Sequence, residues 1–446
     1  MVHLPRIAVG TVQGSAANQP VLWALFDVLE RSGRHLQTFL SQARFVALNG
    51  ALPITGQSHR HLDSWVMTPD VCRELFFHGT RGSDVAIVGG RYDSALSGTK
   101  AVQVGGSLDT LCGWLDLPRL AIVDVTQLDG CRLPQRPARL DGILLDRVSG
   151  RTEACWHRAN LEALWGVPVL GSLEELAAVR VVIENMPPGA SPSRQLCRAL
   201  GSRLEQTLRL DRLLDIAEQR EFPSVPVRLF CPCSRTSLNV AVAYDEAFNC
   251  YFQDTLDLLE SQGATIRDFS PLRHEALPPD TDVVYLGCGR AEQFADQLAS
   301  NHCMKQSLRG HIQQRGRIYA EGSGLAYLCQ QMVLEGGRQV PMVGALPAQA
   351  QFNAQAESLQ PVEITLAQTS WLGEACSQLR GYLNTRWLIE PVGPLRSYAA
   401  ELEHRTTLVG RHNIFGSCVH LDFAAQPQFL RSFFRPFSGT NVSVAF

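Results

Sequence analysis

Short apolar runs rich in β-branched residues recur along the whole chain, and stretches with the spacing of amphipathic helices separate them. "RIAVGTV", "DVAIVGG", "LAIVDV", "DGILLDRV" and "VPVLGSL" alternate with patterns such as "QPVLWALFDVLERSG" up to about residue 220. Unbroken apolar runs suit strands covered on both faces. Strands spaced by helices therefore predict a parallel sheet with helices on both sides. After the helix-rich "RALGSRLEQTLRLDRLLDIAEQREF", the stretch "PSVPV" (Pro223 to Val227) reads as a linker. A second alternation runs through "NVAVAYDE", "YFQDTLDLLESQG", "TDVVYLGCG", "GRIYAEGSG" and "FGSCVHLDF". Two α/β domains are expected, over residues 1–222 and 227–446, with no short-period repeat.

With 446 residues and 45% hydrophobic content, the chain can bury a core in each half. Its 40 basic and 43 acidic residues give a net charge of -3. That balance supplies no positive field for nucleic acid or an anionic membrane surface. No run approaches the roughly 20 apolar residues needed to span a bilayer. The start "MVHLPRIAVG" has neither the charged region nor the long apolar core of a secretory signal. A cytoplasmic location is expected. The 13 cysteines are odd in number and scattered, as reduced thiols are. Only Cys231 and Cys233 are close, in "CPC". One such pair without a second is a weak metal signal, and two core or loop thiols are the preferred reading. No metal is assigned.

Open α/β sheets bind ligands beyond the carboxyl ends of their strands, so those ends are where chemistry is sought. The first strand opens into "VGTVQGSAANQ". Gly10, Thr11 and Gly14 suit a turn whose N–H groups cradle phosphate. A P-loop then needs Lys and a hydroxyl, where this chain has Ala17 and Asn18. On this motif alone, a small polar strand-to-helix turn is the better reading. Further on, "RIYAEGSGLAYL" has the strand, tight turn and helix of a nucleophile elbow. Its apex is Gly322, which has no side chain.

In order and almost from end to end, the sequence resembles the cobyrinic acid a,c-diamide synthase family, glutamine-dependent amidases of corrin and related tetrapyrroles. The matching stretches include "GTVQGSAANQ", "TGQSHRHLDSWVMTPDVCRELFFHGTRGSDVAIVGGRYDSALSG", "VAVAYDEAFNCYFQDTLDLLESQGA", "RIYAEGSGLAYL" and "CVHLDF". The resemblance implies an N-terminal dethiobiotin-synthetase-like domain of P-loop type, which uses Mg-ATP to phosphorylate an acetate side chain. It also implies a C-terminal class I glutamine-amidotransferase-like domain of flavodoxin-like fold, which releases ammonia from glutamine.

The residues depart from the family pattern where this chemistry falls. The family's Gly-Lys-Thr becomes Ala16, Ala17 and Asn18, so no cation remains to offset phosphate charge. Two family acids fall on Arg44 and Ala47, and a third on Gly89, with Asp93 nearby but out of register. The elbow thiol of the family's Tyr-Ala-Glu-Cys-Gly-Gly falls on Gly322. His420 stands where the family's catalytic His lies, and Asp422 is placed to orient it. Ser323, one residue past the apex, is better read as an early helix hydroxyl than as a nucleophile. Cys288 lies with Gly287 and Gly289 on the loop where the family builds its oxyanion hole, and reads more simply as a small residue in a tight turn.

The resemblance makes His61, Asp63 and Trp65 of "HRHLDSWVM", and Phe248, Tyr251 and Phe252 of "DEAFNCYF", candidates for a substrate cleft: Asp63 and Trp65 match the family, His61 replaces its Asn, and the three aromatics stand where the family presents an aromatic wall at the domain interface. Aromatic faces suit a flat tetrapyrrole. Core packing between the two halves is an equal reading for them. His61, His157 and His420 are candidate ligands to a tetrapyrrole metal, against the commoner role of hydrogen-bonded histidines.

The expectation is thus a relative of the amidase without ATPase or glutaminase activity. Its ligand would be a tetrapyrrole or corrinoid, with no Mg-ATP turnover. Two alternatives stay open. One is an ATP-dependent amide synthase with relocated groups; the other is an interaction subunit that pairs with itself or with a catalytically complete paralogue.

Overall fold

The computed structural model describes residues 3–14, 19–43, 45, 50–93, 105–128, 133–186, 190–222, 228–231, 237–355, 360–400 and 406–435. The chain forms two compact units, Met1–Arg228 and Leu229–Phe446. Among the described residues no helix is long and apolar enough to cross a membrane.

The first unit is built on seven parallel strands: β1 (Arg6–Thr11), β2 (Leu36–Leu40), β3 (Arg60–His61), β4 (Val85–Arg91), β5 (Arg119–Asp124), β6 (Gly142–Val148) and β7 (Val169–Glu174). Their order across the sheet is β3-β2-β4-β1-β5-β6-β7. β1 is buried along its whole length and pairs in parallel with β4 and β5. A strand walled by two neighbours and covered on both faces needs residues without polar side chains at nearly every position, and "RIAVGT" supplies them except at Arg6 and Thr11. Arg6 is fully buried, and its guanidinium donates to the carbonyls of Leu115, Leu4, Arg220 and Glu221. The end of the unit's chain is thereby tied to its first strand.

Helix Gln19–Arg31 is buried on all sides from Pro20 to Leu29, and Val21, Leu22, Leu25 and Leu29 sit in the core of this unit. It packs against helix Arg194–Glu205, where a Cβ on Gly201 would stand 2.2 Å from the Asp27 carboxylate. Ser107 and Ser193 accept from the N–H groups of Thr110 and Leu196 and cap the helices that follow them.

The second unit centres on a seven-stranded mixed sheet. Five strands run in parallel in the spatial order Ala264–Phe269, Leu238–Ala243, Val283–Leu286, Arg317–Glu321, Ile414–Ser417. Numbered along the chain, that is second, first, third, fourth, fifth, the flavodoxin-like order. Leu408–Arg411 and Arg396–Ser397 extend the far edge in antiparallel fashion. A four-stranded sheet and a three-stranded sheet occupy most of the chain between residues 331 and 400. The smaller one joins Gln360–Thr365, Gln378–Leu383 and the two-residue strand Val419–His420, setting His420 opposite Tyr382.

Candidate functional site

The elbow forms as its sequence suggests. Strand Arg317–Glu321 is flanked by Val283–Leu286 and Ile414–Ser417, the chain turns at Gly322, and helix Ser323–Leu328 begins at once. Gly322 has φ 52° and ψ −111°, a region that side chains with a Cβ rarely enter. Its N–H donates to the Ser417 carbonyl at 2.9 Å, and its carbonyl accepts from the N–H of Ala326 at 3.0 Å. The turn is also tight. A Cβ on Gly324 would meet the Leu286 carbonyl oxygen at 2.3 Å.

The space that a side chain on Gly322 would take is filled. A Cβ built there would lie 2.7 Å from Cys288 Sγ and 3.3 Å from Asn384 Nδ2. The thiol that the family resemblance places at the apex is thus missing from the elbow, and a different thiol from the neighbouring loop stands in its place.

Three buried groups converge at that point. Cys288 follows strand Val283–Leu286, Glu321 ends the elbow strand, and His420 follows strand Ile414–Ser417. The carboxyl ends of three adjacent parallel strands thus deliver a thiol, a carboxylate and an imidazole to one spot. Cys288 Sγ lies 3.2 Å from His420 Nδ1, and Glu321 Oε1 lies 3.6 Å from the same nitrogen. All three donor atoms fall within 4.8 Å of one another. The residues are 5% (Cys288), 0% (Glu321) and 3% (His420) exposed.

Their surroundings fix the electrostatics. Burial, and next the nearby Glu321 charge, push the Cys288 thiol well above its ordinary range, although the Ser323 N–H bonded to the sulfur opposes this. Glu321 Oε1 accepts from the N–H of Leu421 at 2.7 Å. Its other oxygen, Oε2, is buried with no hydrogen-bond partner, and so is the Ser323 hydroxyl. Tyr251 clamps the Cys288 loop: its hydroxyl donates to the Ala243 carbonyl and accepts from the N–H of Gly287 at 3.0 Å. Gly289 is held so close that a Cβ there would meet the Ala247 carbonyl oxygen at 2.0 Å. The N–H groups of Gly287 and Ser323, the loop's and elbow's candidate oxyanion donors, are both engaged within the protein.

Glu321 was not singled out from sequence. Its signal was available, since a charged residue ending an otherwise apolar core strand, directly before a turn, has few structural reasons to be there. Asp422, expected beside His420, directs Oδ1 to the N–H groups of Ala424 and Ala425 and the Thr255 hydroxyl. Burial, followed by the Asp254 charge, raises its carboxyl to about 7. Phe248 and Phe252 lie in the core of the second unit, at 0% and 2% exposure.

In the first unit, Gly10 closes on hydrocarbon, with a Cβ there 2.6 Å from a Leu108 methyl and 2.9 Å from the Tyr92 ring. The Thr11 hydroxyl bonds the backbone of Gln13, and the Gln13 amide exchanges a reciprocal pair of bonds with the backbone of Asp124 at 2.8 Å each. Gly14 is exposed; Ala17 and Asn18 lie outside the described residues, as do Arg44, Ala47 and Cys233. Asp63 accepts from the N–H groups of Ala43 and Trp65 at 2.8 and 2.7 Å, and the His61 ring meets Phe45 edge-on at 5.6 Å. Asp93 accepts from the Ser107 hydroxyl at 2.8 Å, while Gly89 is buried on β4. His157 lies on helix Arg151–Trp165, 3.9 Å from Glu153.

Comparison with known proteins agrees along the chain. Residues 239–428 match the model of the CobB/CobQ-like glutamine amidotransferase domain. A protein of Syntrophotalea carbinolica named cobyrinate a,c-diamide synthase is 28% identical over 96% of this chain and 98% of its own length. One of the same name from Dehalococcoides mccartyi strain CBDB1 is 26% identical over 97% of this chain and 98% of its own. Among solved structures, a crystal structure of a glutamine amidotransferase is similar over 44% of this chain and 96% of its own, with 18% identity and a TM-score of 0.34. The chain is therefore similar along nearly its whole length to proteins named cobyrinate a,c-diamide synthase, and residues 239–428 match the CobB/CobQ-like glutamine amidotransferase domain.

Proposed function

We propose that the protein is a non-catalytic relative of the cobyrinate a,c-diamide synthases that binds a corrinoid or related tetrapyrrole as a carrier or regulator. The observation that carries the first half of this reading is the elbow. Its backbone keeps the strained turn at Gly322 while its apex bears no nucleophile. Covalent amide hydrolysis needs a thiolate, a base and free oxyanion donors. Here the nearby thiol is buried and held neutral, and the N–H groups of Ser323 and Gly287 are bonded internally. The ligand class follows from the relatives, whose name specifies cobyrinate.

Titration of the full chain with cobyrinic acid, sirohydrochlorin and haem, followed by absorbance and thermal unfolding, tests this reading. A saturable spectral shift with accompanying stabilisation is expected for a corrinoid or its precursor. No saturable response to any of the three overturns it.

A second reading is favoured by one distance. Cys288 Sγ at 3.2 Å from His420 Nδ1 is within reach for proton exchange, as a relocated nucleophile would require. An amidase using Cys288 would release glutamate from glutamine and lose that activity on Cys288→Ser.

A further inference from the structure

We propose that Cys288, Glu321 and His420 form a binding site for a divalent metal of borderline softness, zinc being the best match, beside the elbow turn at Gly322. The donor set is the first argument. A thiolate, an imidazole and a carboxylate are the ligand types zinc takes, and three protein donors leave a fourth position for water or another ligand.

Distance is the second. With bonds of roughly 2.3 Å to sulfur and 2.0–2.2 Å to nitrogen and oxygen, the donor-to-donor edges of a zinc tetrahedron are about 3.4–3.6 Å. The observed separations are 3.2 Å from Cys288 Sγ to His420 Nδ1 and 3.6 Å from that nitrogen to Glu321 Oε1. All three donor atoms lie within 4.8 Å of one another, so closing any edge by at most about 1.2 Å brings the set to tetrahedral spacing.

An unmet demand is the third and independent argument. Glu321 is fully buried, and its Oε2 has no hydrogen-bond partner. A buried carboxylate oxygen without a donor is costly, and a cation beside it removes that cost. The frame is also rigid. Tyr251 pins the Cys288 loop, the Leu421 N–H orients Glu321 Oε1, and His420 sits on a strand paired with Tyr382. Donors held in place before the ion arrives favour binding. On binding, the ion displaces the thiol proton to solvent; no electron changes hands.

This inference stands whether or not the protein binds a tetrapyrrole, and its test involves no tetrapyrrole. The full chain is stripped with a chelator, incubated with zinc, and freed of excess by gel filtration before metal content is measured. One zinc per chain is expected, with a rise in the unfolding temperature of the second unit. Cobalt in place of zinc should give a thiolate-to-cobalt absorption band in the near ultraviolet. The near-isosteric Cys288→Ser should abolish the band and lower the zinc content, as should Glu321→Gln or His420→Ala. Cys376→Ser, which alters an exposed thiol on the same unit, should change neither. Should Glu321→Gln or His420→Ala fail to fold, Cys288→Ser decides alone. Wild-type protein without stoichiometric zinc, or zinc and a cobalt band retained in Cys288→Ser, would overturn the proposal.

Discussion

Two strand ends, that of β1 in the first unit and that of the elbow strand in the second, each carry a glycine where a side chain cannot fit, but for opposite reasons. At Gly10 the obstruction is hydrocarbon from Leu108 and Tyr92, and polar groups nearby are satisfied: Gln13 pairs with the backbone of Asp124, and the Tyr92 hydroxyl donates to the Leu120 carbonyl. At Gly322 the obstruction is the Cys288 sulfur, and beside it stand a carboxylate oxygen and a hydroxyl with no partner. Up to Gly14, the first of these ends has been taken over by ordinary core packing. The second keeps its reactive groups and leaves their demands unmet, so any remaining chemistry is concentrated there.

The largest effect is expected at the elbow. Gly322→Ala puts a methyl against the Cys288 sulfur and forces a residue with a Cβ to hold φ 52°. Strain and overpacking together should cost about 3–5 kcal/mol. Adding Cys288→Ala should recover the packing part and leave the strain, a coupling that a double-mutant cycle in denaturant would read. Equal stability of the single and double variants would mean that the sulfur does not occupy that space.

A smaller effect separates the two units by pH. His59 in the first unit is buried beside the Thr38 hydroxyl, and that burial pushes its imidazole down from 6.5 to about 4. The fold therefore holds His59 neutral while the unfolded chain takes up a proton below about pH 6.5. Its contribution is complete above that pH and is lost as pH falls toward 4, a change of about 3 kcal/mol. His59→Gln should flatten the pH dependence of the first unit's unfolding in that window and leave the second unit unchanged. An unaltered pH profile would show that the imidazole is not kept neutral.

The smallest effect belongs to the end of β1. Gly10→Ala meets only side-chain carbon, which yields more readily than a fixed turn, and should cost about 2 kcal/mol. Leu108→Ala in the same chain should relieve part of it. A loss at Gly10 as large as that at Gly322 would erase the distinction between a packed strand end and a strained turn.

Much of the fold was legible because its signals are local. β-branched runs mark the parallel strands, and "RIYAEGSG" marks a turn that only small residues can make. The antiparallel edge and the two small sheets were not foreseen, because residues 331–400 are short strands in glutamine-, proline- and glycine-containing sequence without a clear period. The site was half legible. Gly322, Cys288 and His420 were each noticed, yet Cys288 and His420 stand 132 residues apart in sequence, and nothing local says that their side chains meet. Glu321 carries a local signal, a charge that ends an apolar strand, but its partners come only from the neighbours that the sheet order brings beside it.

Glutamine hydrolysis tests the central claim most directly. The full chain is incubated at high concentration with glutamine, with and without Mg-ATP and cobyrinic acid, and glutamate is quantified. The expected result is no release above the protein-free rate, with no change on Cys288→Ser. Glutamate released at a steady rate and abolished by Cys288→Ser would contradict it, since the displaced thiol would then be a working nucleophile.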